Sequence, residues 1–378
     1  MDTMDNIKER LNRYLQFLEQ DPSNVNLLLS ISESYRQLND FNEAQRYLDK
    51  AKTIDANACI ALEGILALNQ GHFERAKKAL FQAVSSEDLP ILRYNLAVCH
   101  YSLNEPDEGI AALTPLFKQN PSYEIEFLMA QLLQQQGQLE QAINLLKFVL
   151  EQHGSSEKTL VLLAQLYLDN HDEIAAANTA QQVLIINQKN YEAQVILLLL
   201  RLVKEEVTVN EIEIKKLLAE HATDSRLWFA LGTTYFRAIR LQDAEKAYLK
   251  AAKLNPQFYD NWVSLGWCQL FLDKLDEAQH CYQQAIALNE GNSEGWGGLA
   301  LIHALRSNLD DAADLITKAA ALDSECFLAK IAQIIHLSHA NPGKAEVQFK
   351  ETFPQIVEQI NAAMATVLQE VDKNKTVH

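Results

Sequence analysis

Glycine and proline are scarce in this chain, 12 and 8 among 378 residues. Average usage would supply about twice as many. So few turn formers exclude an all-β fold and long flexible linkers. Cysteine is also sparse: Cys59, Cys99, Cys268, Cys281 and Cys326 are odd in number and show no C-x-x-C spacing. That excludes a disulfide framework and a cysteine zinc site, and each thiol falls inside an apolar helical pattern, as a small core filler. Basic residues are outnumbered, 33 Lys plus Arg against 50 Asp plus Glu, for a formal charge of −17. A field of that sign opposes phosphate, so no nucleic acid is expected as a partner. The longest apolar run, VILLLL at 195–200, is far too short to span a bilayer, so no membrane insertion is expected. The leading MDTMDNIKERL lacks the apolar run of a signal peptide, and a soluble, cytoplasmic protein is the expectation.

Catalytic patterns are missing as well. There is no G-x-G-x-x-G, Walker A, H-E-x-x-H or G-x-S-x-G segment. His336 and His339 stand three apart, but no cysteine or carboxylate shares their helical face, so no metal and no cofactor are expected. His100 and His303 occupy a core-edge position of the pattern described next, and acidic pairs such as Asp310–Asp311 and Glu205–Glu206 fall in turns. The expectation is that the chain is not an enzyme.

What is present is periodic. Trp228, Trp262 and Trp296 recur at an interval of 34, each followed three residues later by Leu231, Leu265 or Leu299, and then by Gly232, Gly266 or Ala300. A second pattern follows each: Ala244, Tyr248, Ala251; Ala278, Tyr282, Ala285; Ala312, Ile316, Ala319. Offsets of zero, three, four and seven share one face of a helix. Trp228, Leu231, Gly232 and Tyr235 therefore form a stripe that reads as core, with Gly232 admitting the second helix and Tyr248 filling the gap. Truncating Trp228 or Trp262 is then expected to cost about 3–5 kcal/mol. A hairpin cannot bury such a stripe alone, so neighbours must stack.

W-x-x-L-G-x-x-Y followed by A-x-x-x-Y-x-x-A and NP at this period resembles the tetratricopeptide repeat family, specifically in 225–326 and more loosely over nearly the whole chain. The fold expected is all-α, a right-handed α-solenoid of about nine helix–turn–helix repeats with helical caps. Residues 1–24 read as an N-terminal half-repeat cap and 25–189 as five repeats, the second helix of the last being a residue out of register around Ala177. Residues 190–224 are degenerate, either covered by another element or marking a kink, with a discontinuity expected near 200–210, and 225–326 hold three well-matched repeats. Residues 327–371 read as a C-terminal cap, irregular at first and then amphipathic through Ile356, Ile360, Ala363, Val367 and Val371, before a disordered tail at 372–378.

Beside the core stripe, offsets of one, five and eight from each Trp define a second face. The resemblance implies that this face lines a concave groove that takes peptides. It carries Phe229, Thr233 and Phe236, then Val263, Trp267 and Leu270, with Arg237 and Phe271 at the rim. A weaker candidate is the equivalent stripe of Tyr94, Asn95, Val98 and Tyr101. The positions that hold a carboxylate clamp in some relatives carry Arg226, Asp260, Glu294, Thr233, Trp267 and Leu301, and do not reproduce it. Apolar anchors would carry recognition of a protein or peptide ligand, and the acidic balance favours a basic or neutral one. The alternative is a structural subunit that homo-oligomerises through the apolar stripe and the C-terminal helix.

Overall fold

Small and large side chains at fixed places on each helix determine how closely the helices approach. The computed structural model describes residues 4–119, 121–203, 211–356 and 358. Among these residues all regular structure is helical. Helix α1 (Met4–Gln20) precedes five hairpins: α2 (Val25–Gln37) with α3 (Phe41–Lys52), α4 (Ile60–Asn69) with α5 (Phe73–Ser86), α6 (Pro90–Ser102) with α7 (Pro106–Gln119), α8 (Tyr123–Gln135) with α9 (Leu139–His153), and α10 (Glu157–Asp169) with α11 (Glu173–Ile186). Next come α12 (Tyr191–Val203) and α13 (Glu211–Glu220). Four hairpins follow: α14 (Ser225–Arg237) with α15 (Leu241–Leu254), α16 (Tyr259–Phe271) with α17 (Leu275–Leu288), α18 (Ser293–Leu305) with α19 (Leu309–Leu322), and α20 (Phe327–Ala340) with α21 (Pro342–Thr352).

The chain divides into two compact units, one ending at Leu197 and the other beginning at Leu198, inside α12. In the first, α1 packs on α2, and the second helix of each hairpin packs on the first helix of the next. In the second, α13 packs on α14, and the same arrangement runs through α20 and α21. Each unit is a stack of helical hairpins, as in a helical solenoid.

One turn joins the helices of every described hairpin except α20–α21. Asn39, Asn104, His171, Ile239, Asp273 and Ser307 lie at φ of 57–61°, and Gly71 and Gly137 take the same place. The next residue donates its N–H to a carbonyl five residues back, as from Asp40 to Tyr35 and from Arg240 to Tyr235, both 2.9 Å. That bond satisfies a carbonyl left over at the helix end and reverses the chain. Asp40 and Asp172 then cap the following helix through their side chains.

Within a hairpin, the expected pairing of small with large holds. A Cβ on Gly232 would lie 2.6 Å from the Tyr248 ring. Tyr282 is fully buried and wedged between α16 and α18, where a Cβ on Gly266 or Gly298 would meet its ring at 2.8 or 2.5 Å. Three sequence readings are corrected or extended. The second helix of 157–189 is in register after all, because Ala176, Ala180 and Val183, each 34 residues beyond Ala142, Leu146 and Val149, are fully buried. The stretch after Cys326 that appears irregular folds as the hairpin α20–α21, with Leu328, Ala329, Ala332 and Ala345 buried. Helix α12, apolar nearly all round, buries Val195, Ile196, Leu198, Leu200 and Leu202. Most of the expected kink, at 204–210, lies outside the described residues, as do Ile360, Ala363, Val367, Val371 and the tail at 372–378.

Candidate functional site

The recurring tryptophans lie at the edge of the core and not inside it, Trp296 packing against the core around Tyr282 and Leu299. Trp228, Trp262 and Trp296 are half-buried, while Leu231, Gly232 and Tyr235 beside the first of them are buried. Each indole N–H donates to the carbonyl six residues earlier: Trp228 to Ala222 at 2.8 Å, Trp262 to Pro256 at 2.8 Å and Trp296 to Glu290 at 2.9 Å. The reason is the N–H itself, which needs an acceptor that an apolar core does not supply. These residues instead fasten the loop that enters each hairpin. Lys318 also lies over the Trp296 ring at 3.5 Å.

Turned away from that stripe, Trp267 meets other aromatics. Its ring stacks on Phe271 at 6.1 Å and lies 5.7 Å from Phe327. Phe271 also meets Phe236 edge-on at 5.7 Å. Phe327 continues the row to Phe353 at 5.2 Å, and Phe353 to Phe349 at 5.5 Å. Between α14 and α16, with Phe327 of α20 beside them, lies an open cleft of about 490 Å³, lined by Thr233, Phe236, Arg237, Tyr248, Ser264, Trp267, Phe271 and Phe327. Volumes of this order suit a ligand group held among apolar walls. Phe271 remains 61% exposed at its rim.

Of the residues singled out in sequence, the structure thus brings Phe236, Arg237, Trp267 and Phe271 to one cleft. Phe229 lies apart from the lining, packed at 4.9 Å on Phe258 and 5.9 Å on Tyr248. Val263 is half-buried, and Leu270 packs against the core around Tyr282 and Leu301. In the other unit, Tyr94 and Tyr101 pack against the core shared by α6 and α8. Tyr101 accepts a hydrogen bond at its hydroxyl from Gln131 and at its carbonyl from Gln135, 3.2 and 3.0 Å. Burial, with a smaller contribution from Glu124, pushes the Tyr94 phenol up from its ordinary value. Asn95 is half-buried between them. Sequence reasoning missed three lining residues: Tyr248, read as core filler, Ser264, and Phe327, which stands 34 residues beyond Ser293, the first residue of α18.

The hydroxyls of the cleft are committed internally. Tyr248 donates to the Thr233 hydroxyl at 3.2 Å, and Thr233 donates to the Phe229 carbonyl at 3.1 Å. Burial pushes the Tyr248 phenol up to about 12, so it stays neutral. Behind Trp267, burial and the nearby Asp323 raise the proton affinity of the Glu294 carboxyl, against a hydrogen bond from the Trp267 indole. Arg226, at a clamp position of the resemblance, is paired with Asp224 at 2.7 Å. All five thiols are buried, and burial pushes Cys281 up to about 12 and both Cys99 and Cys268 up to about 11. Such thiols are poor nucleophiles. No group of three or more metal-ligating side chains converges among the described residues, and none of their helices is long and apolar enough to cross a membrane.

No curated protein matches the chain in sequence. Among solved structures it is similar to the APC/C hetero-tetramer Cut9–Hcn1, at 15% identity over 91% of this chain and 81% of that one, with a TM-score of 0.48. It is also similar to yeast Tom70, at 12% identity over 88% and 84% with a TM-score of 0.39. Pseudomonas aeruginosa pilF aligns at 18% identity over 50% of this chain and 88% of its own, with a TM-score of 0.43. Sequence models of the tetratricopeptide repeat match residues 62–121 and 263–325, and a second such model matches 25–57 and 225–258. The chain belongs to the tetratricopeptide repeat family, whose stacked helical hairpins serve as protein–protein interaction scaffolds.

Proposed function

We propose that this protein is a non-enzymatic scaffold, and that the cleft between α14 and α16 holds an extended or helical segment of a partner protein. The observation that carries the reading is the row of aromatic rings around an open cleft, with Phe271 61% exposed at its rim. Aromatic anchors in a pocket are what dominate interface energies. Trp267 also packs against the core around Tyr282, so Phe236 and Phe271 are the cleaner residues to remove.

The test is affinity capture from source-cell lysate with wild type and with the Phe236→Ala/Phe271→Ala pair, followed by calorimetry on the purified candidate. A protein held by wild type and bound at least about tenfold more weakly by the folded pair supports the reading, since anchors of this kind are worth over about 1 kcal/mol each. Equal binding by both forms overturns it. Sedimentation of the wild type alone separates partner binding from self-association.

A further inference from the structure

We propose that the cleft reads an acidic–apolar pair: a large apolar side chain seated against Trp267, Phe271 and Phe327, and a neighbouring carboxylate paired with Arg237. The inference rests on the scaffold reading and names the chemistry of the segment the cleft would take.

Two hydroxyls of the cleft are already satisfied within it. Tyr248 and Thr233 are bonded to each other and to the Phe229 carbonyl. Arg237, exposed at the mouth, has no ion pair or hydrogen bond among the described residues. Its neighbours differ: Arg240 is held by Glu211 and Asp243 at 3.0 and 2.7 Å, and Arg226 by Asp224 at 2.7 Å. A guanidinium with five free donors beside apolar walls is suited to a carboxylate, which it can bind in a two-pronged fashion. The rings beside it supply the apolar half of the site.

The whole chain carries −17, which at long range favours a basic ligand. At physiological ionic strength, though, exposed charges more than about 8 Å away are largely screened. The charge nearest the bound segment then decides, and at this mouth it is Arg237.

The test uses the full chain and a displayed library of short random peptides, selected on wild type and counter-selected on Phe236→Ala/Phe271→Ala. Peptides that depend on the cleft should be enriched in Asp or Glu beside Phe, Trp, Leu or Met. Arg237→Glu, an exposed change checked for folding by circular dichroism, should weaken the best of them at least about tenfold, about 1.4 kcal/mol. It should also strengthen binding of the same peptide with its acid changed to lysine. Cleft-dependent peptides without acidic enrichment, or acidic ones indifferent to Arg237→Glu, would overturn this inference and leave the scaffold reading standing. If no selected peptide depends on the cleft, both fall.

Discussion

At the hairpin turn α14–α15, Ile239 breaks two local rules at once. It lies at φ 58° and is 81% exposed. The left-handed region costs an ordinary L-residue about 1–2 kcal/mol, and a β-branched one is a true outlier there. Asparagine holds the equivalent place at Asn39 and Asn104. Ile239→Asn should therefore raise stability by about 1 kcal/mol, read as a higher urea midpoint with an unchanged slope. No gain would mean that the turn relaxes around isoleucine at no cost. The tryptophans teach a different lesson. Trp262→Phe keeps an aromatic six-membered ring but deletes the pyrrole part of the indole and its bond to the Pro256 carbonyl, so it should cost about 1–2 kcal/mol. A loss above about 3 kcal/mol would return the ring to the core. Sequence period showed that Trp228, Trp262 and Trp296 share one role, and offsets identified Leu231, Gly232 and Tyr235 as buried. Neither revealed the acceptor carbonyl six residues upstream, which the loop's path supplies.

Helices meet most tightly around α18. A Cβ on Gly297 would stand 2.7 Å from the Cys326 sulfur and 3.0 Å from the Ala329 backbone nitrogen. Backbone cannot step aside as a side-chain tip can. Gly297→Ala is therefore expected to cost about 1–3 kcal/mol by overpacking, although the same change in an open helix would gain about 1 kcal/mol. A higher melting temperature for the variant would show that α20 can retreat. At the other end of the chain, Glu63 on α4 joins two elements, accepting from Lys52 of α3 at 2.6 Å and from Arg75 of α5 at 2.8 Å. Burial alone would raise its pKa, but the hydrogen bonds and charges of Lys52 and Arg75 outweigh it and hold the carboxyl below its ordinary value. A lowered folded pKa means that the stabilisation is present above the unfolded value and disappears as pH falls through the folded one. Glu63→Gln should then cost about 1–2 kcal/mol at neutral pH, with the urea midpoints of the two forms converging in acid. A gap that persists in acid would assign the loss to shape and not to charge. Element boundaries were legible wherever Trp, Leu and Tyr marked them. Helix α20 lacked those residues, so its pattern went unread, even though Ala332 stands 34 beyond Gly298 and Phe327 stands 34 beyond Ser293. Phe327, the residue that α20 contributes to the cleft, went unread with it.

On the scale of the molecule, stacked hairpins contact their neighbours and little else. Stability in such arrays is close to a sum of repeat and nearest-neighbour contributions, so a local injury need not spread. The chain's division at Leu197 and Leu198 gives that expectation a boundary. Gly297→Ala acts on the packing of α18 against α20, well inside the second unit. Native-state hydrogen exchange should show faster amide exchange in α17 to α20 of the variant, while α2 to α9 keep wild-type protection. The injury falls on Cys326 and Ala329, beside Phe327 of the Phe236–Phe271 cleft, so loosening there would appear as weaker binding of a cleft-dependent peptide before any change in the first unit. Equal loss of protection from α2 through α20 would instead show that the whole array opens as a single cooperative body, and partner binding at the cleft would then stabilise every helix in the chain.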